Sequence, residues 1–271
     1  LHTAPIDNHL SVYKVIAAVR PTELYHLAAS SFVSYNFDDE SSILTQNFNS
    51  THSLLSALKE LVPGCRFLFA GSSEMFGDVS ISPQNESTPF NPRSIYGISK
   101  VSSHYLVKNY RSQYGIFACT AFLYNHESPR RGMQFVTRKI AHSCARIKLG
   151  HQRSLRLGNL EAQRDWGYAP DYVHALGLML RADTPNDYVV STGKLHTVRQ
   201  FAEMAFRVAG LNLDDHLEVD QSLFRSSEKV SLCGDSAKLK RDFNWQHSRT
   251  FEEVVTEMVT AELRDLSENP Q

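Results

Sequence analysis

The chain has 271 residues and a net charge of −1, and 42% of its residues are hydrophobic while 21% are charged. These proportions are typical of a globular protein, and the near-zero charge favours neither nucleic acid nor a membrane surface as a partner. No apolar run approaches the roughly 20 residues of a membrane-spanning helix, and we expect no signal peptide.

Apolar strand-like runs alternate with helical periods along the chain, which predicts an α/β fold. We predict a short helix at 10–19, a strand at 24–28 and a long helix at 41–61 that ends before Pro63. The unbroken apolar run at 67–70 indicates a parallel strand covered on both faces, and its carboxyl end carries "GSSE".

A helix at 93–114 and a strand in "GIFACTAFLYN" follow, and the pattern changes after Asn125. A polar, basic loop then enters a helix, and "SLRLGN" indicates a short strand. A further helix begins at Pro170, "DYVVSTG" indicates another strand, and "TVRQFAEMAFRVAG" and "TFEEVVTEMVTAELRDL" are amphipathic helices.

The four cysteines lie far apart and form no C-x-x-C pair; they are Cys65, Cys119, Cys144 and Cys233. This spacing argues against a zinc site or a disulfide framework and suits a reducing compartment. We therefore expect a cytoplasmic protein without a metal site.

The stretch "SIYGISK" places Tyr96 and Lys100 four residues apart, on the same face of a helix. A neighbouring cation favours the phenolate of a tyrosine, which would make Tyr96 a usable base near neutral pH. The pattern alone has little specificity, because Y-x-x-x-K occurs by chance in many chains.

Ser72 and Glu74 follow the strand at 67–70, and Tyr96 should face them from the next helix. A hydroxyl, a carboxylate, a phenol and an ammonium that converge at one strand end can oxidise an alcohol and eliminate a neighbouring group. Each residue also has an ordinary interpretation: Ser72 as a turn cap, Glu74 as a solvated carboxylate, and Arg130-Arg131 as a solvated basic pair.

Four stretches together, "LAASSFV", "GSSEMFG", "SIYGISK" and "NHESPRRG", resemble the extended short-chain dehydrogenase/reductase superfamily. Within it the chain is most similar to the GDP-mannose 4,6-dehydratases, and "FVTRKI" and "LGNLEAQRDWGYAPDYV" are specific to that branch. The resemblance implies a Rossmann-type doubly wound parallel sheet in 1–125, to which 170–192 return. It implies a smaller substrate-binding lobe in 126–169 and 193–271.

The resemblance also implies a bound nicotinamide cofactor, usually NADP with NAD left open, and a GDP-sugar substrate. The implied catalytic residues are Ser72, Glu74, Tyr96 and Lys100. The implied cofactor contacts are Leu27, Ala28, Ala29, Ser31, Tyr96, Lys100, His126 and Arg131. The implied substrate contacts are Ser31, Asn125, Val136, Lys139, Arg164, Arg225 and Glu228.

Glu74 separates the dehydratases from their relatives in this resemblance. Glucose-type dehydratases tend to carry Asp-Glu at this point, where this chain has Ser73-Glu74, and the epimerases and 4-keto reductases generally lack the glutamate. Three departures from the family pattern stand out: Ser72 replaces a threonine, Ser226 replaces a proline, and Pro5-Ile6 replaces Asp-Leu. GDP-heptose as substrate and a 4-keto-6-deoxy-sugar reductase remain alternatives.

The glycine-rich turn G-x-x-G-x-x-G with which the family starts has no counterpart in this sequence. We expect that roughly 60–80 residues, with two strands and two helices of the Rossmann order, lie outside it. One hypothesis is an enzyme whose N-terminal segment is not in the sequence; the other is a non-catalytic, nucleotide-sugar-binding remnant. The family expectation is a homodimer or homotetramer assembled through the helices at 41–61 and 93–114.

Overall fold

The computed structural model describes residues 1–30, 37–224 and 230–268. In chain order its helices are α1 His9–Val19, α2 Phe37–Leu61, α3 Ile95–Tyr114, α4 Val136–Lys148, α5 Ala169–Arg181, α6 Val198–Val208, α7 Ala237–Phe243 and α8 Phe251–Glu268. Its strands are β1 Glu23–His26, β2 Arg66–Ala70, β3 Ala118–Leu123, β4 Asn125–Glu127, β5 Leu155–Leu157, β6 Gln163–Arg164, β7 Trp166–Tyr168, β8 Tyr188–Val190, β9 His196–Thr197 and β10 Leu217–Val219.

Two compact units make up the chain. The first comprises Leu1–Leu123, Val173–Val190 and Asp235–Trp245, and the second comprises Tyr124–Tyr172, Ser191–Gly234 and Gln246–Gln271. The predicted second domain included all of 193–271, whereas 235–245 pack with the first unit. They do so because α7 lies on β8, where the Tyr188 and Phe243 rings are 5.2 Å apart.

A parallel sheet with the strand order β1-β2-β3-β8 forms the centre of the first unit. Phe67, Leu68 and Phe69 of β2 are at most 1% exposed, as expected for a strand covered on both faces. The α/β class and the parallel sheet of Rossmann type are therefore confirmed. The carboxyl ends of β1 and β2 lie side by side, since His26 pairs with Phe69.

Helices α1, α2 and α3 bury their apolar faces against this sheet. Leu55 and Leu58 of α2 and Val107 of α3 are fully buried in one cluster with Phe67. α3 begins at the cap Ser94 and ends at Gly115, whose φ of 66° is left-handed and suits glycine.

The second unit packs α4, α6 and α8 around a core of its own, which includes Trp166, Phe201, Phe206 and Met258. Three two-stranded ladders surround this core: β10-β5 and β4-β7 are parallel, and β6-β9 is antiparallel. A reciprocal pair of hydrogen bonds between Thr197 and Gln200 caps α6. None of the described helices is both long enough and apolar enough to cross a bilayer.

Candidate active site

The turn after β2 carries the first two candidate catalytic side chains. β2 ends at Ala70 and a 3₁₀ turn covers Ser73–Met75, so Ser72 and Glu74 lie at the carboxyl end of a parallel strand. The Ser72 hydroxyl accepts a 3.2 Å hydrogen bond from the backbone N–H of Glu74, so Ser72 does cap this turn. A hydroxyl that accepts one bond keeps its own proton, and it can still donate to a ligand.

Tyr96 lies in the first turn of α3. The cap residue Ser94 accepts a 3.1 Å hydrogen bond from the backbone N–H of Gly97, which holds this turn in place. The positive end of the helix dipole favours negative charge on a side chain at this position. Gly97 approaches the main chain of Glu74 so closely that no β-carbon would fit, and the two candidate elements therefore adjoin.

Lys100 lies one turn further along α3 and is only 3% exposed. Its Nζ donates a 2.8 Å hydrogen bond to the Ala70 carbonyl oxygen and lies 5.8 Å from the centroid of the Tyr96 ring. Burial lowers the pKa of Lys100 to about 7. The amine is thus only partly protonated near neutral pH, and an anion beside it would favour the ammonium form.

A buried polar network behind these residues was not anticipated from the sequence. Asn47 of α2 donates through Nδ2 to the Ser99 hydroxyl at 3.0 Å, and that hydroxyl donates to the Tyr96 carbonyl oxygen at 2.8 Å. The Asn47 Oδ1 accepts a 2.9 Å hydrogen bond from the Ser30 N–H. Asn47 therefore connects the segment after β1 to the turn that carries Tyr96.

His26 ends β1 and is 2% exposed. Its Nε2 lies 3.1 Å from the Thr51 hydroxyl and 3.3 Å from the Ser50 hydroxyl. Burial, and to a lesser extent the charge of Lys100, lowers the pKa of His26 to about 3. His26 is therefore neutral near Lys100, and no charge from the imidazole repels that amine at neutral pH.

The predicted cofactor segment follows β1 directly. Leu27 and Ala28 are exposed and Ala29 is half-buried, so this stretch is accessible to a ligand. Ser31 lies outside the described residues, as do Arg225 and Glu228 of the predicted substrate pocket.

In the second unit, the "NHESPRRG" segment begins with β4, which pairs with β7. The Nδ1 of His126 bonds to the Tyr124 carbonyl oxygen at 2.8 Å, so Nδ1 carries the proton and Nε2 is left as an acceptor. Burial lowers the pKa of His126, which keeps the ring neutral. The His126 ring lies 5.1 Å from the Tyr172 ring.

The other predicted substrate contacts in the second unit are on separate elements: Asn125 on β4, Val136 and Lys139 on α4, and Arg164 on β6. Lys139 donates from Nζ to the Arg156 carbonyl oxygen at 2.6 Å, and burial, followed by the charge of Arg156, lowers the pKa of Lys139. Arg164 donates to the Gln163 carbonyl oxygen at 2.7 Å. These contacts keep both cations close to the main chain.

The donor set fits an anionic nucleotide cofactor. In the first unit, the Lys100 amine stands beside the ring of Tyr96. In the second unit, the two terminal nitrogens of Arg131 donate to no acceptor among the described residues, while its Nε pairs with Glu127 at 3.4 Å. A guanidinium whose fork is free can bind a phosphate through two hydrogen bonds.

Residues 1–258 match the family model described as GDP-mannose 4,6 dehydratase. The chain belongs to this family. It is 44% identical over 267 residues to GDP-mannose 4,6 dehydratase 2 of Arabidopsis thaliana, an alignment that covers 97% of this chain and 71% of the relative. It is 40% identical over 289 residues to GDP-mannose 4,6 dehydratase of Homo sapiens, which covers 100% of this chain and 78% of the relative.

Solved structures with the same fold include RMD from Pseudomonas aeruginosa complexed with NADPH. Its TM-score is 0.89 at 24% identity, covering 97% of this chain and 88% of that one. The dTDP-glucose 4,6-dehydratase of Bacillus anthracis in complex with NAD has a TM-score of 0.83 at 19% identity, with 98% and 80% covered. At these identities the structures show only the fold that this chain adopts.

Three buried polar residues of this GDP-mannose 4,6-dehydratase family member were not predicted from the sequence: His26, Asn47 and Glu127. Glu127 had a detectable signal, since it lies inside "NHESPRRG" and is the acidic residue of that basic segment. Asn47 and His26 had none: Asn47 is one of many polar residues in its part of α2, and His26 is a single residue at the end of a four-residue strand, so no periodic pattern marks either.

Proposed function

We propose that this chain dehydrates a GDP-sugar, with GDP-mannose as the substrate and GDP-4-keto-6-deoxymannose as the product. The observation that carries the proposal is the family match over residues 1–258, with relatives of up to 44% identity that are named for this reaction. Fold likeness would not discriminate by itself, because the similar structures also include a UDP-glucose 4-epimerase. The protein is accordingly a lyase.

We propose NADP as the cofactor, bound along the segment after β1 by Leu27, Ala28, Ala29 and Ser31 and by Tyr96, Lys100, His126 and Arg131. Accessible main chain after β1 and the free fork of Arg131 support this assignment. Bound there, the nicotinamide would supply hydride-transfer chemistry, which an internal oxidation at C4 and reduction at C6 of the sugar require.

Tyr96 is the proposed base for the C4 hydroxyl. Its phenolate takes the hydroxyl proton as C4 becomes a ketone, and the Ser72 hydroxyl donates a hydrogen bond to the same oxygen. The Lys100 Nζ lies 5.8 Å from the centroid of the Tyr96 ring, and in its protonated form it stabilises the phenolate, which in turn favours that form. The Ala70 carbonyl oxygen orients the amine, which is why it stands beside Tyr96 and not in solvent.

Glu74 is the proposed acid and base of the elimination. The ketone at C4 acidifies the C5–H bond, and the Glu74 carboxylate removes that proton. Glu74 then protonates the C6 hydroxyl, which leaves as water. As C6 is reduced, C5 takes up one proton, which balances the proton that Tyr96 took from the C4 hydroxyl. One carboxylate suffices for both transfers because C5 and C6 are adjacent atoms, and its place at the end of β2 supports the assignment.

For the GDP portion we propose Asn125, Val136, Lys139, Arg164, Arg225 and Glu228, together with Ser31. Lysine and arginine side chains suit a pyrophosphate, and a glutamate can accept from the N–H edge of guanine. Two further features are proposals of the same kind: cytoplasmic location, supported by four free cysteines, and self-association into a homodimer or homotetramer. Exposed Ile98 and Tyr105 on α3 support association through the long helices.

The test is product analysis of the purified protein with NADP and, in separate reactions, GDP-mannose and GDP-heptose. We expect a product whose mass is lower than that of GDP-mannose by one water, and this product should react with a carbonyl reagent. Little GDP-heptose should be converted. A preference for GDP-heptose would assign the alternative substrate. Reduction of a 4-keto-6-deoxy sugar without dehydration of either compound would contradict the proposal, as would binding of GDP-sugar without any reaction.

A further inference from the structure

Glu127 is a buried carboxylate to which no step of the proposed reaction assigns a role. It lies in β4 and is 1% exposed. Its Oε2 accepts a 2.5 Å hydrogen bond from the Thr137 hydroxyl and lies 3.4 Å from the Nε of Arg131. Burial raises the pKa of Glu127, while Arg131 and then Thr137 oppose the rise. Burying a carboxylate costs free energy, so an apolar residue would serve a purely structural role better.

Two neighbouring side chains contact the guanidinium of Arg131, while its terminal nitrogens have no partner among the described residues. Glu127 faces the Nε as an ion pair at 3.4 Å without a hydrogen bond, and the guanidinium Cζ lies 3.7 Å from the centroid of the Phe135 ring. The side chain is 17% exposed, which leaves it little room to reorient. Its two terminal nitrogens donate to no acceptor among the described residues. The part of the side chain that binds phosphates best is therefore the part without a partner.

A second buried pair holds the loop that carries Arg131. Arg138 of α4 donates to the carbonyl oxygens of Pro129 and, at 3.4 Å, of Arg131. Glu262 of α8, which is 3% exposed, pairs with Arg138. The main chain and the side chain of Arg131 are thus fixed by separate carboxylates.

We infer that Glu127 is a positioning residue that orients Arg131 as a preorganised, bidentate binder of a nucleotide phosphate. The inference rests on the proposed function, since it assumes a phosphate-bearing ligand at Arg131. The phosphate belongs either to the dinucleotide cofactor or to the GDP-sugar, and the ligands in the test distinguish these sources. Preorganisation gives affinity because the ordering of a long side chain is completed before the ligand arrives.

The experiment is a binding titration of the purified protein with NADPH, NADH and GDP, followed by fluorescence or calorimetry. We expect Glu127→Gln, which keeps the shape and removes the charge, to weaken binding of one of these ligands about 10-fold. Arg131→Gln should weaken the same ligand about 100-fold. The double variant should bind no more weakly than Arg131→Gln, because Glu127 acts only through that arginine.

Glu203→Gln is the matched control, since the Glu203 side chain is 48% exposed and pairs only loosely with Arg199 at 3.9 Å. Melting temperatures of all variants identify any that fail to fold. Should Glu127→Gln be one of them, Phe135→Leu removes the other contact that orients the guanidinium and is expected to weaken binding about 5-fold.

If the variants lose affinity for NADPH alone, Arg131 binds the 2′-phosphate of the cofactor. If they lose affinity for both NADPH and NADH, it binds the pyrophosphate of the cofactor. If they lose affinity for GDP, it binds the GDP-sugar. Wild-type affinities in Glu127→Gln and Phe135→Leu would overturn the inference, as would losses that multiply in the double variant. Wild-type protein that binds none of the three ligands would contradict the proposed function as well.

Discussion

Gly97 and Glu74 are in such close contact that a β-carbon at position 97 would come 2.6 Å from the Glu74 carbonyl oxygen. The same atom would come 3.0 Å from the side chain of Pro92. A main-chain oxygen cannot move aside to relieve such a clash, whereas the end of a flexible side chain can. The missing side chain therefore sets the distance between the turn that carries Glu74 and the helix that carries Tyr96.

We predict that Gly97→Ala lowers kcat at least about 10-fold, because a displacement of the helix misplaces Tyr96 relative to Glu74. Overpacking at this contact should also cost about 1–3 kcal/mol in the free energy of unfolding. Gly177→Ala in α5 is the control, since nothing lies within 4 Å of a β-carbon there. Alanine is the better helix former, so the control should be neutral or more stable. Equal activity in the two variants would contradict the prediction.

The buried amine of Lys100 predicts a stability difference that depends on pH. Its pKa is about 7 when folded against an ordinary value of 10.5, so between these values the unfolded chain binds a proton that the folded chain lacks. Wild-type stability therefore rises with pH through this window. The unfolding free energy of the wild type, relative to that of Lys100→Met, should increase by on the order of 2 kcal/mol from about pH 7 to about pH 9.

Urea unfolding of the wild type and of Lys100→Met at several pH values measures this difference. The Lys100→Met variant should also lose activity, because methionine has no ammonium group to stabilise the Tyr96 phenolate. A stability difference that does not change with pH would show that the amine is not desolvated in the folded protein.

His26 predicts a loss of stability on the acid side. Burial, followed by the charge of Lys100, lowers the pKa of His26 from 6.5 to about 3. Between these pH values the unfolded chain therefore binds a proton that the folded chain does not bind. Stability contributed by neutral His26 is therefore lost as the pH falls. In His26→Gln the decrease in unfolding free energy between about pH 7 and about pH 4 should be smaller by on the order of 3 kcal/mol.

The control is His52→Gln, which replaces an exposed histidine of α2, the helix that packs against His26. This variant measures what the loss of a surface histidine of α2 does by itself to the unfolding free energy. An unchanged acid-side slope in His26→Gln would contradict the prediction.

Glu262 should be a costly carboxylate to neutralise. It is buried and pairs with Arg138, and its Oε2 lies 2.8 Å from the Nδ1 of His142. Glu262→Gln leaves the Arg138 cation partly buried without its counter-charge, which should cost about 3 kcal/mol in unfolding free energy. Glu203→Gln, at an exposed pair, should change it by less than about 0.5 kcal/mol. Chemical denaturation measures both unfolding free energies. Similar losses in Glu262→Gln and Glu203→Gln would contradict the prediction.

Local patterns in the sequence predicted the elements of the first unit well. The apolar run of β2 and the helical period of α3 are properties of neighbouring residues, and the spacing of Tyr96 and Lys100 follows directly from helix geometry. Glu74 could be singled out as a dehydratase feature only through the family resemblance, because one glutamate after a strand has many uses.

The remaining features depend on contacts between distant residues. The ladders β4-β7 and β6-β9 are two or three residues long, too short for any periodic signal. The return of α7 to the first unit depends on its packing against β8. The partial neutralisation of Lys100 depends on burial by residues far away in sequence, whereas the sequence alone predicts a simple cation.

Glu74→Gln tests the central claim most directly. The rate of 4-keto-6-deoxy product from GDP-mannose and NADP is compared with the wild-type rate, while NADPH and GDP binding are measured on the same samples. We predict a rate at least about 10²-fold lower, as for the loss of a general acid–base group, with both affinities unchanged. Release of the 4-keto-6-deoxy sugar by Glu74→Gln at close to the wild-type rate would contradict the assignment of dehydration to this carboxylate.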